Sequence, residues 1–262
     1  MGKDRIVAPE SDPVDLAVFC VEPGRWVETS GKFDTHASVM AQPSVRKKAM
    51  VDADQQKVWD EVNTARLSFV EKVAPPTTAT GGPASGSAPG ISGGAGGGGF
   101  GMASSSDRFT RQLHATTSYA STIENSAVKQ QVESITQQVQ KSYESVIKQL
   151  RNQNAVGVVV AVRERIVWAD IFASNQLLSK YWPKLLQSYA AESLTASGAS
   201  HEITLKDVES FLRDWEARHE TVDSEPGLYR QRELVGNNFR AFELTSLLAK
   251  ASFDVHLSKM AN

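Results

Sequence analysis

Cysteine is all but missing from this chain: Cys20 is the single thiol among 262 residues. One cysteine excludes an internal disulfide and every CxxC redox or metal motif. Surplus charge is missing too, with 28 Lys and Arg against 30 Asp and Glu and a formal net charge of −2. Nucleic acid calls for a clustered basic excess, so no nucleic-acid partner is expected. No apolar run nears the roughly 20 residues of a membrane span, so no membrane partner is expected either. The opening MGKDRIVAPES has no apolar leader, and its sixth position lacks the Ser or Thr of a myristoylation signal. Those absences favour a cytoplasmic location. No HExxH, HxxxH or Asp-rich spacing occurs, so no metal and no cofactor are expected. GxSxG is absent, which leaves a serine hydrolase without support.

What is present suffices for a core: 40% of the residues are hydrophobic and 8% aromatic. Near the start, Val14, Leu16, Val18 and Cys20 alternate with Asp15, Ala17, Phe19 and Val21, which predicts a strand covered on both sides. Glu22-Pro23-Gly24-Arg25 predicts a type II turn, with Pro23 presetting φ and Gly24 supplying φ > 0. Asp52 or Asp54 can cap a helix whose apolar face holds Val58, Val62, Leu67 and Val70. Residues 74–107 then collapse to Gly, Ser, Ala, Pro and Thr, a composition that predicts a disordered insert. These glycines have no strand before them and no Gly-Lys-Ser/Thr after them, so they are no phosphate loop.

Val128, Val132, Ile135, Val139, Tyr143, Val146 and Leu150 step by threes and fours. They predict one long helix over residues 122–151, either packed on its own sheet or open to self-association or a protein partner. Two β-branched runs, 156–162 and 166–172, predict a hairpin with a three-residue loop at the centre of the sheet. Ser174 or Asn175 can cap the next helix, in which Pro183 predicts a kink or a break. A further amphipathic helix is expected over residues 205–219. Strand-like pieces follow around Gly236-Asn237-Asn238, with a last strand over 252–260. The composite is a single α+β domain over 1–262, with a mixed or antiparallel sheet, a central hairpin (about 156–172) and amphipathic helices on one side.

CVEPGRW, QQKVWDEV, VGVVVAVRERIVWADIF, YWPKLLQSYAAES, ELVG and VHLSKM occur in this order. In that order they resemble the domain family named for its association with ADP-ribosylglycohydrolase and rhodanese-phosphatase proteins. The resemblance runs from about residue 4 to 259, apart from the Gly-rich insert. Family members are longer at the N-terminus, so the resemblance implies that this chain lacks N-terminal strands. It also implies a link to NAD or ADP-ribose metabolism, and it supplies no catalytic residue.

Five residues are candidates for a site. Cys20 can serve as a nucleophile if a cation lowers its pKa; between Phe19 and Val21 it reads more simply as a small buried hydrophobe. Glu22, Arg25 and Trp26 suit a planar or phosphate-bearing ligand, held by a guanidinium fork and an aromatic stack. The plainer reading is an ion pair that closes the turn. Asp170 stands in an apolar strand, where a carboxylate must be paired or hydrogen-bonded; it is a candidate base, or an acceptor for loop N–H groups. His256, alone in the last strand, reads as structural. Two functions follow. In one, the domain binds or processes an ADP-ribose-like or other phosphorylated small molecule, and Glu22, Arg25, Trp26 and Asp170 converge on one concave surface. In the other, it is a non-catalytic interaction module, and an apolar patch lies exposed instead. The resemblance tips the balance toward the first.

Overall fold

The computed structural model describes residues 4–9, 11–16, 18–23, 39–73, 111, 115–198, 202–249 and 251–262. The Gly-rich stretch 74–107 and three residues of the expected turn site, Gly24, Arg25 and Trp26, lie outside them.

Six strands form one antiparallel sheet: β1 (Gly157–Val162), β2 (Arg165–Phe172), β3 (Ala217–Glu225), β4 (Tyr229–Gly236), β5 (Phe239–Leu248) and β6 (Ala251–Ala261). Their spatial order is β1-β2-β6-β5-β4-β3. The α+β class and the 157–172 hairpin are as the sequence implies. The hairpin's place differs: β1 is an edge, and β6 with β5 takes the centre. Its loop is also shorter than expected. Only Arg163 and Glu164 connect the strands, at φ 44° and 65°. A two-residue hairpin loop needs left-handed backbone at both positions to match strand twist, and here two non-glycine residues supply it.

Register fixes the two faces. Asp170 stands opposite Ser258 and Phe172 opposite His256, while Ala169 stands opposite Lys259. Successive strand residues alternate faces. Trp168, Asp170, Phe172, His256, Ser258 and Met260 therefore share one face, and Ala169 and Lys259 the other.

The first face lies under most of the helices: α1 (Pro43–Lys47), continued by a π turn Lys48–Asp52, α2 (Gln55–Val73), α3 (Tyr119–Glu124), α4 (Ser126–Asn152) and α5 (Asn175–Thr195). Met50, Leu185 and Tyr189 pack there on Trp168, Phe172, Phe242 and Met260. A second core joins the helices to one another through Val58, Val62, Phe69, Ile123, Val128 and Val132. Asp54 caps α2, accepting from the Lys57 N–H at 2.9 Å. Ser174 caps α5, accepting from Leu177 at 3.2 Å. The expected 122–151 helix is broken at Asn125, whose side chain accepts from Ala127 N–H at 3.1 Å and starts α4 afresh. Pro183, by contrast, sits inside α5 without ending it.

Helices do not keep to one side. α6 (Leu205–Arg213) covers the opposite face, where Phe211 packs on Leu234, Phe239 and Ala241. Lys259 fastens it. This lysine is wholly buried, its Nζ donates to the carbonyls of Phe211 and Asp214, and the rings of Phe211, Trp215 and Phe239 lie 4.8, 4.3 and 4.1 Å away. A cation at a helix C-terminus meets the unpaired carbonyls there. Burial lowers the Lys259 pKa, and nearby Asp214 works against that fall. The expected 205–219 helix thus stops early, and its last residues open β3.

The expected N-terminal strand is not formed among the described residues. Residues 11–16 and 18–20 have no ladder partner, and Val14, Leu16 and Val18 are exposed. Among the described residues of this stretch, Phe19 and Val21 pack onto the helical core. The amide of Gln55 occupies both the N–H and the C=O of Cys20, each at 2.8 Å, so a side chain takes the place of a neighbouring strand. Further upstream, residues near Asp4 cross the helix side of the sheet. Gln231 Nε2 donates to the Asp4 carbonyl at 2.9 Å, and Arg5 lies 5.7 Å from the Tyr229 ring centroid.

Candidate functional site

Asp170 has 0% exposure in the middle of an apolar strand, and a bare carboxylate there would be very costly. Each of its oxygens is satisfied. Oδ1 accepts from His256 Nε2 at 3.1 Å and from Ser258 Oγ at 2.9 Å. Oδ2 accepts from the Tyr189 hydroxyl at 2.5 Å and lies 3.5 Å from Arg46 Nη1. The other nitrogen of His256, Nδ1, lies 2.6 Å from Asp4 Oδ2. Phe172 stacks on the imidazole at 4.4 Å between centroids. Arg46 in turn rests 4.3 Å from the Trp168 ring centroid. Two carboxylates, one imidazolium and one guanidinium make the set neutral.

The pKa values follow from these contacts. Burial pushes Asp170 upward, but its hydrogen bond from His256 and the charge of Arg46 outweigh that, and it is held well below the usual carboxylate range. Burial pushes His256 downward, but hydrogen bonds to Asp170 and Asp4 outweigh that and raise it to about 9. Burial and the Asp170 charge together push the Tyr189 hydroxyl upward.

Ser258, His256 and Asp4 lie in the order of a nucleophile, base and orienting acid, with Ser258 Oγ 3.4 Å from Nε2. The order does not make a hydrolase. A base must be free to take a proton, whereas this imidazole is charged through neutral pH and Asp170 already holds its Nε2 proton. The Ser258 hydroxyl also donates to Asp170, and the residue is 3% exposed. Nor do Asp4 and Asp170 converge on one point, since they hold opposite nitrogens of the ring. Among the described residues, no three or more His, Cys, Asp or Glu are grouped to hold a metal ion.

Of the other candidates, Glu22 and Cys20 are among the described residues. Glu22 Oε1 accepts from the Ala120 N–H at 2.8 Å, in the first turn of α3, so it acts as a cap. Cys20 Sγ faces the backbone of Glu22, accepting from its N–H at 3.3 Å. None of these bonds reaches Asp170. Arg25 and Trp26 lie outside the described residues. Arg46, Tyr189, Ser258 and Asp4 were missed in the sequence. Asp170 as a lone acid in a β-branched run and His256 two residues before Ser258 were the only local signals.

A second feature is apolar. In α4, Val128 and Val132 are buried, but the same stripe continues into Tyr143, Val146 and Leu150, which are 53%, 42% and 42% exposed. Beside it opens a cleft between α4, the start of α5 and β1, lined among others by Ile147, Leu150, Val158, Leu178 and Trp182.

A family model described as the ARG and Rhodanese-Phosphatase-superfamily-associated Protein domain matches residues 1–260. No curated protein matches the chain, and no solved structure matches it.

Proposed function

We propose that this chain, which belongs to the ARG and Rhodanese-Phosphatase-superfamily-associated Protein domain family, is a non-catalytic interaction module that docks an apolar segment of another polypeptide. The observation that carries this is the outer half of α4. Its stripe is core at Val128 and Val132 and turns solvent-facing at Tyr143, Val146 and Leu150. By helical spacing the flanks carry Gln138, Gln140, Ser142 and Gln149, with Arg151 the one charge at the end of the stripe, while Glu144 and Lys148 pair away from it at 2.9 Å. An apolar strip with mostly uncharged polar borders beside an apolar cleft suits a protein partner better than a charged metabolite. A photo-crosslinking amino acid at position 146 tests it, with position 148 as the control. Polypeptide adducts at 146 and not at 148 are expected; equal labelling overturns the reading.

One observation favours a second reading, an anionic ligand such as ADP-ribose or a sugar phosphate. Arg46 Nε and Nη2 are buried without a hydrogen-bond partner, although the Trp168 ring beneath the guanidinium accounts for part of this. In this reading Arg25 and Trp26 supply the anion fork and the stack. A thermal-shift series with nucleotides and sugar phosphates separates the two. A rise of several degrees that Arg25→Ala abolishes favours the ligand, and a flat response leaves the docking module.

A further inference from the structure

Beyond the α4 stripe lies β1, the strand at the sheet's edge, and among the described residues nothing pairs with its outer side. Its sequence is Gly-Val-Val-Val-Ala-Val. It carries no charge and no proline, the two commonest devices that keep an edge from pairing with another chain. Phe172 N–H donates to the Val156 carbonyl at 2.8 Å. In an antiparallel ladder the hydrogen-bonded pairs alternate, so Gly157 and Val159 turn their N–H and C=O groups outward. Cleft and edge are contiguous, because Gly157 and Val158 line the same cleft as Ile147 and Leu150.

Resting on the docking reading, we propose that the polypeptide is a second copy of this chain, joined through β1 to β1 in an antiparallel pair. The edge is self-complementary. A two-fold axis through Val159 sets Val158 opposite Val160 of the second copy and Gly157 opposite Ala161. Beyond the strand, Arg163 falls opposite Ala155 and Glu164 opposite Asn154. No like charges meet, and valine faces valine, the β-branched pairing that stabilises ladders. The other edge cannot substitute: β3 carries Arg218, His219, Glu220, Asp223 and Glu225. Two copies joined this way give one twelve-stranded sheet, with the apolar clefts flanking the dyad.

The test uses the full chain. In a Cys20→Ser background, Val159→Cys places two thiols on the dyad with Cα atoms about 5.5 Å apart, within disulfide reach. Mild oxidation is expected to give a covalent dimer in high yield. Val222→Cys, on β3 and more exposed than Val159 at 52%, is expected to give none. Sedimentation of the unmodified protein should show a dimer, and Ala161→Lys, at an exposed strand position, should weaken it at least tenfold. A monomer at 100 μM, or equal cross-linking from both positions, overturns the inference. The outcomes keep the two readings apart. A monomer that still cross-links another polypeptide at position 146 sinks the self-pairing alone. A monomer with no specific adduct at 146 sinks both.

Discussion

The two edges of the sheet are built on opposite principles. β3 is polar along nearly its whole length and is tied to the sheet by surface ion pairs: Arg232 reaches Glu220 at 2.8 Å and Glu243 at 2.9 Å. β1 has no charged residue, and its neighbour β2 is anchored by a buried network around Asp170. The turns differ in the same sense. The β3–β4 turn is Glu225-Pro226-Gly227-Leu228, with Leu228 N–H donating to Glu225 O at 3.0 Å and Gly227 at φ 76°. The β1–β2 turn forces Arg163 and Glu164 into that region instead. One edge is insulated by charge and closed with fitting turn residues. The other is apolar, strained at its tip and locked from within, a pattern that suits a surface meant to be covered.

Removing the lock should have the largest effect. Asp170→Ala leaves buried Arg46 without its counter-charge and His256 with Asp4 alone, a loss of about 3–5 kcal/mol that chemical denaturation would read. Glu220→Ala, which removes the exposed partner of Arg232 on β3 (side chain 42% exposed), should cost only a small fraction of that. Similar losses from the two would erase the contrast.

The lock should also titrate. His256 is raised from 6.5 to about 9, so its contribution is complete below pH 6.5 and fades as pH climbs through 9, on the order of 3 kcal/mol in all. Asp170 is lowered, so its contribution is complete above its ordinary value of 3.8 and fades only in stronger acid. Urea midpoints should be highest between about pH 4 and 6.5 and fall toward pH 9. His256→Gln should flatten the alkaline fall; an unchanged slope would remove His256 as its source.

Turn substitutions give smaller effects of opposite sign. Gly227→Ala meets open space, with nothing within 4 Å of the added carbon, so its cost is backbone strain alone, about 1 kcal/mol. Arg163→Asn with Glu164→Gly supplies the residues a two-residue hairpin favours and should stabilise by about 0.5–1 kcal/mol. Thermal melts of both variants would show whether the strain lies where the dihedrals place it.

How much could be read beforehand follows from the same asymmetry. The 156–172 hairpin was legible because both strands are β-branched and apolar. β6 was legible because its alternation survives around His256 and Ser258. β3 was not, since an edge strand exposed almost throughout has no apolar period, and RDWEARH continues the helical pattern of α6. The N-terminal alternation misled because Val14, Leu16 and Val18 never meet a second layer. Glu22-Pro23-Gly24-Arg25 lies partly outside the described residues, but Glu225-Pro226-Gly227-Leu228 starts with the same three residues and forms a hydrogen-bonded turn. Within the buried network, Asp170 announced itself as a polar residue in an apolar strand. Arg46 and Tyr189, which meet it directly, and Asp4, which reaches it through His256, are brought there by the tertiary fold across separations no local pattern encodes.

β6 lies third in the sheet, between β2 and β5, yet it is the last of the six to be made. On the ribosome the β1–β2 hairpin and the β3–β4–β5 meander would emerge as two separate half-sheets, each with a bare inner edge. Asp170 lacks two of its four partners, and α6 its lysine anchor, until His256, Ser258 and Lys259 are made. Closure of the sheet therefore waits on β6, and a chain cut short before residue 251 would leave both inner edges open to chaperones or to misplaced strands.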